Sequence, residues 1–406
     1  SAKQSPSQEG DNAPFHRHQV GFNVGGPFVK DKLFWHVSWE RFYQSDNFVT
    51  DPASVQFFPQ MAGNVQLPVG IRYSSARLDW NLNSSVRLFY RFNNSWDVST
   101  GGSGQSPFQN IDWTNVHVVG VDYTRSRATH SYRFGYVNFN NNIASQEFSQ
   151  FKFPLTGDSV PYFLGVGQFQ QGPNSLAPQQ TYQDNFQNKY DGSYVTGNHT
   201  LRYGGEINRI VLGGFANFAG PLAVNGNFTS DPGGTRDQVI ARGADPKNPL
   251  EYPLTSFGTG PSNGFFTIPA AHGFPHGGNY NHRFAFYVGD NWRVRRNLSL
   301  NFGTRWEYDT AFFNKEEEDG VRRPPILGLV HQPSLKAPKF PKDRFGPSFG
   351  FAWDPFSNGK TSIRGGFYLA YEMNIANNTI FNEFALIPPG IGPDSFDQSG
   401  VFGPDG

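Results

Sequence analysis

Cysteine is absent from the 406 residues, which excludes disulfides, thiolate metal sites and thiol catalysis. Its absence suits an extracytoplasmic bacterial protein. Charge is sparse and balanced, with 33 Lys plus Arg against 33 Asp plus Glu and 16% charged residues in all. No whole-chain field therefore calls for nucleic acid or an acidic partner. No run of about 18 apolar residues occurs, so no transmembrane helix is expected. The opening "SAKQSPSQEGDNAPFHRHQ" lacks a basic n-region and an apolar h-region, and it does not read as a signal peptide. Catalytic signatures are missing as well: there is no G-x-S-x-G elbow, H-E-x-x-H or P-loop. "GVGQFQQG" offers Gly165 and Gly167 without the third glycine of a dinucleotide site.

Aromatic residues are abundant. The chain has 41 Phe, 17 Tyr and 8 Trp, and they fall into a strict alternation with polar residues. A period of two means strand. In "SARLDWNLNSSVRLFYRFNNSWD", Ala76, Leu78, Trp80 and Leu82 share one face, opposite Arg77, Asp79 and Asn81. After a short Asn-Ser turn, Val86, Leu88, Tyr90 and Phe92 stand opposite Arg87, Arg91 and Asn93, with Phe89 the single apolar exception on the polar side.

The same unit recurs. In "GGPFVKDKLFWHVSWERF", Leu33, Trp35, Val37 and Trp39 share a face, and His36, Ser38 and Glu40 lie on the other. Further hairpins turn near Arg127–Thr129, at Gly197–Asn198, at Arg295–Asn297 and at Ser357–Lys360. That makes about six hairpins, or about twelve strands. Between them run long polar connections, approximately 44–70, 99–113, 145–180, 213–281 and 311–343, rich in Gly, Pro, Asn and Ser. Tight turns alternating with long loops, and arms of ten residues or more, define a membrane-spanning antiparallel up-and-down β-barrel. A soluble sandwich has strands of about 5–6 residues and a core of Val, Ile and Leu. A propeller needs a blade repeat that is missing here. The aromatic faces are accordingly expected to meet lipid, and His36, Ser38 and Glu40 to face the interior.

The hairpins "VGGPFVKDKLFWHVSWERF", "GNHTLRYGGEINR", "FAFYVGDNWRVRRNLSLNFGTRWEYD" and "RFGPSFGFAWDPFSNGKTSIRGGFYLAYE", in this order, resemble the barrel of TonB-dependent outer-membrane receptors. The wording is most similar to the Oar-like, carboxypeptidase-regulatory-domain group of Acidobacteria. The resemblance implies a barrel of about 22 strands closed by a plug, located in the bacterial outer membrane and opened by a TonB-type energising protein. It implies uptake or export of a bulky solute met first by the extracellular loops. Twelve strands are about half of such a barrel. We therefore expect residues 1–18 to be a leading loop, 19–372 a partial barrel and 373–406 a loop-like tail, with the plug and N-terminal module outside this chain. A structural or adhesive surface barrel and a soluble carbohydrate-binding β-protein are the alternatives.

Candidate sites are few. Arg77, Asp79, Arg87, Arg91, Asp122, Arg133, Glu206, Arg305, Glu307 and Arg364 are expected on the inner face, pairing with one another, with the plug or with water. His272, His276 and His282 share a Gly-rich segment, but Gly273, Pro275 and Gly277 forbid the helix that an i,i+4 zinc pair uses. The acidic run "KEEED", Lys315 to Asp319, lacks the spacing of a calcium loop. The sequon at Asn198 carries no weight in an outer membrane. No enzymatic residues, metal or cofactor are expected, and the substrate-binding residues are unassigned. The partners expected are outer-membrane lipid, the energising protein and an unknown solute, with no nucleic acid.

Overall fold

Period-two alternation becomes a ladder of long strands in the computed structural model, which describes residues 15–49, 64–102, 106–145, 163–166, 169–172, 174, 177, 179–216, 223–226, 232–252, 254–258, 264–265, 279–310 and 341–371. Strands β1 (His16–Val29), β2 (Leu33–Val49), β3 (Asn64–Asn81), β4 (Val86–Gly101), β5 (Phe108–Arg125) and β6 (Ala128–Ser145) pair in chain order. Short strands β7 (Phe163–Val166) and β8 (Phe169–Gln171) precede β9 (Gln179–Thr196) and β10 (His199–Ala216). Then come β11 (Ala223–Gly226), helix α1 (Pro232–Ala241), β12 (Leu254–Gly258) and β13 (Gly264–Phe265). The chain returns to the main sheet with β14 (Asn279–Arg295), β15 (Leu298–Asp309), β16 (Phe345–Trp353) and β17 (Ile363–Tyr368). Twelve of these strands form one continuous antiparallel meander, β1 to β6, then β9, β10 and β14 to β17, with β13 added on β10. Among the described residues β1 and β17 each pair on one side only, so the sheet is open.

Six tight turns close one end, each with its own chemistry. Asp31, Ser126, Gly197 and Ser357 supply the left-handed residue at four of them. At the β3–β4 turn, Asn83 Oδ1 accepts from the backbone N–H groups of Ser85 and Val86, both at 2.9 Å. Asp354 does the same at the β16–β17 turn, accepting from Phe356 and from Gly359 at 2.7 Å.

The strands run further than the expected loop limits allowed. The connection anticipated over 99–113 shrinks to 102–107, because Ser99, Thr100 and Gly101 pair with Asn110, Gln109 and Phe108. The β2–β3 connection shrinks to 50–63 in the same way. The cause is that ladder pairing continues past the apolar band, where both faces are wet and alternation no longer marks a strand. His282, expected in a Gly-rich loop, lies inside β14, paired with Arg209.

The fully buried apolar side chains gather at the loop end. Val166, Ala177, Val211, Leu212, Val239 and Tyr252 are at most 2% exposed. Val211 and Leu212 lie at the far end of β10, Val239 in α1, Ala177 and Tyr252 in connecting segments, and Val166 in a second, four-stranded sheet of order β12-β11-β7-β8, in which β11 and β7 run parallel. Asn174 donates to the Ser106 carbonyl at 2.6 Å, tying this assembly to the β4–β5 connection. The β6–β9 and β10–β14 connections thus meet through the β7–β11 pairing and bury apolar groups beside the end of β10.

Candidate functional site: the two faces of the sheet

Register fixes which residues share a face. One row runs Val37, Ala76, Phe92, His117 and Tyr136, and the next runs Trp35, Leu78, Tyr90, Val119 and Phe134. This outward face leaves large apolar side chains open along its breadth. Phe22, Trp80, Val119, Phe286 and Phe349 are all 45–56% exposed. An apolar face of this extent cannot stand in water. Val86 and Trp96 bound it on β4, about ten residues apart, or about 33 Å along the strand. At a tilt of about 45° this spans about 24 Å, the height of an outer-membrane apolar band.

Several polar groups on this face are paired across strands, which a solvent without donors or acceptors favours. Tyr90 Oη lies 2.9 Å from His117 Nδ1, and Tyr190 Oη lies 2.6 Å from His130 Nδ1. Tyr132 donates to Asn188 at 2.6 Å, and His199 Nδ1 meets the largely buried Asp290 at 2.6 Å. Alternation alone did not reveal these outward polar pairs, since each partner lies far away in sequence. The i,i+2 pattern could have flagged only the interruptions.

The inner face carries the charge. Nearest the turns, one row runs Arg87, Asp122, Ser131, Asp191 and, beyond Gly204, Tyr287 and Arg305. The next runs Asp79, Phe89, Gly120, Arg133, Lys189 and Glu206. The inner-face candidates thus lie where expected, and most have the partners anticipated for them. Arg77 meets Asp79 at 2.7 Å, Arg133 meets Asp122 at 2.5 Å and Arg305 meets Glu307 at 2.5 Å. Gln187 donates to Glu206, Arg87 to Asn81 and Arg364 to Ser362. Arg91 pairs in register with Arg77 and Val118.

The exception Phe89 is explained by its neighbours. The Arg77 and Arg133 guanidinium groups both lie over its ring, 4.4 and 4.8 Å from the centroid, so one π system serves two like charges. Gly120 beneath makes this possible, because a Cβ there would sit 2.1 Å from the ring. Tyr287 uses the same device. It crosses above Gly204 and donates to Asp191 at 2.6 Å, and a Cβ on Gly204 would fall 2.4 Å from the Tyr190 carbonyl.

Among the described residues no cluster of His, Asp and Glu is arranged to hold a metal ion. His272, His276 and Lys315–Asp319 lie outside the described residues. His282 stacks on Phe284 at the outward face, 6.4 Å between ring centroids.

An open sheet with a lipid-width apolar outer face and a charged inner face is the wall of an outer-membrane barrel. Residues 71–401 match the outer membrane beta barrel domain family, and the chain belongs to it. It is an outer-membrane protein. Among solved structures it is similar to the outer membrane transporter YddB from Escherichia coli, with 12% identity, a TM-score of 0.55 and coverage of 87% of this chain and 38% of that one. It is also similar to the siderophore receptor PirA from Acinetobacter baumannii (13% identity, TM-score 0.50, 90% and 42% covered). A variant of the ferric enterobactin receptor PfeA from Pseudomonas aeruginosa, in complex with enterobactin, matches at 12% identity and a TM-score of 0.50, with 90% and 42% covered. These likenesses establish the fold. The chain spans about two fifths of the length of each. No curated protein matches the sequence.

Proposed function

We propose that this chain is part of the wall of a TonB-dependent outer-membrane transporter of the Oar-like group, and that it is not an enzyme. Residues 19–372 form the wall in this reading, with 1–18 and 373–406 as connecting segments. The edges at β1 and β17 are met by further strands of the complete barrel. The turn end lies in the periplasm and the loop assembly stands outside the cell, where it meets the solute first.

The observation that carries this reading is the charged inner face. About three rows of ion pairs and guanidinium–aromatic contacts cross the sheet just above the turns, on a face against which no described element packs. A water-filled pore accounts for charge there, and so does a plug with its own complementary charges. Opening such a plug requires an energising partner in the periplasm. Accumulation of candidate solutes in wild-type cells, in cells lacking the gene and in cells treated with a protonophore tests the proposal. Uptake lost in both of the latter supports energised import. Undiminished accumulation of every solute in the deletion strain, with lost surface attachment, would leave the adhesive alternative standing in its place.

A further inference from the structure

Above its charged rows the inner face changes character. The last of those rows crosses β2, β3 and β4 at His36, Arg77 and Arg91; the row after it holds Ser38, Ser75 and Asn93, and the row beyond that holds Tyr73, Ser95 and Thr114. Glu40 is the one charge among them, and Gly21 opposite it carries no side chain. Together these residues line a depression of about 770 Å³, the size of a small-ligand site. From the Ser38 row to the loop end, the inner positions of β2 to β6 include no Lys or Arg. They do include Asp97 and Asp112, which pair directly across β4 and β5.

We infer that this tract binds a neutral, polyhydroxylated solute, an oligosaccharide chain, and disfavours anions. The inference rests on the transporter reading and names its substrate class. Hydroxyl and carboxamide groups both donate and accept, which is what a sugar hydroxyl demands of its surroundings. Gln19 donates to Glu40 at 2.9 Å and Ser75 to Asn93 at 2.8 Å, so these groups are already oriented. Tyr73 is 47% exposed in the depression and presents a ring to the apolar C–H face of a pyranose. Glu40 is the one charge lining the depression, with Asp97 and Asp112 beyond it toward the loops; Arg77 in the row below is held by Asp79, and Arg17 on β1 is drawn onto the Phe42 ring, so a carboxylate or phosphate seated beside Glu40 is repelled.

The test uses the intact protein extracted from outer membranes in detergent, with isothermal titration calorimetry. The probes are cellohexaose, maltohexaose and xylohexaose (neutral), hexagalacturonate (anionic) and spermine (cationic). At least one neutral hexaose is expected to bind, and hexagalacturonate to bind at least tenfold more weakly. Tyr73→Ala and Asn93→Ala should each raise the hexaose Kd about tenfold, while Ser75→Arg should improve hexagalacturonate binding. Heat-modified gel mobility confirms that each variant still forms a barrel. Tighter binding of hexagalacturonate or spermine than of every hexaose, no hexaose binding at all, or an unchanged Kd in Tyr73→Ala overturns the inference. Hexaose that is bound but never accumulated by cells defeats the transporter reading and leaves this one standing. Accumulated solute with a preference for anions defeats this one alone.

Discussion

Val119 offers the sharpest probe of the outward face, because one strand provides its own controls. It sits on β5 between Tyr90 and Phe134, 47% exposed, about six residues from the turn end of the strand at Arg125. Six residues are about 20 Å along the strand, or about 14 Å above the turn at a tilt of about 45°. That is close to the middle of an apolar band about 25 Å tall. Arginine placed there has only hydrocarbon around its head group, at a cost of about 2–4 kcal/mol. The folded-to-unfolded ratio should fall about 30- to 700-fold. Asn115 shares the face but lies about ten residues up, at the band's upper edge, and Asn115→Arg should cost about 0–1 kcal/mol. Val116 points inward between Asn93 and Val137, and Val116→Arg should cost less than Val119→Arg even though the two are three residues apart. The assay is denaturant unfolding in phospholipid vesicles followed by tryptophan fluorescence. If Val119→Arg shifts stability by no more than the about ±0.5 kcal/mol of an ordinary solvent-exposed substitution, or if the depth order reverses, the lipid-facing assignment is wrong.

Three more expectations follow from the inner face and the loops. Phe89→Ala should destabilise by about 1–2 kcal/mol by removing two guanidinium–ring contacts; a double-mutant cycle with Arg77→Gln measures the coupling, and strict additivity would count against the contact. Gly204→Ala forces a Cβ onto the Tyr190 carbonyl and the Tyr287 ring, and should cost about 1–3 kcal/mol, with the Tyr287–Asp191 hydrogen bond lost from the tyrosine ultraviolet resonance Raman signature. Tyr252 is almost fully buried and donates to the Pro246 carbonyl at 2.8 Å; Tyr252→Ala should speed hydrogen exchange in the loop assembly more than tenfold and leave exchange in the turn-end half of the sheet unchanged, since Tyr252 lies outside the strand ladder.

Much of this protein is determined by residue order alone. Alternation such as Leu78-Asp79-Trp80 assigns each side chain to a face, because successive Cβ atoms of a strand point to opposite sides. Turn residues such as Asp31, Asn83 and Gly197 set where hairpins close. The meander order and the inward placement of Arg77, Asp122 and Arg305 follow from these local rules. Tertiary structure decided what depends on register between distant strands. Phe89 is an anomaly in its own strand and finds its reason only when Arg77 from β3 and Arg133 from β6 arrive over its ring. His130 and Tyr190 are 60 residues apart, so no local pattern could join them across the lipid face. The ends of β4 and β5, where Ser99, Thr100, Gln109 and Asn110 put polar groups on both faces, become strand because each offers the other a ladder of hydrogen bonds. The loop core around Val166, Val239 and Tyr252 exists because two connections meet in space. Local geometry fixes which way a side chain points, and what it meets is a property of the register between strands.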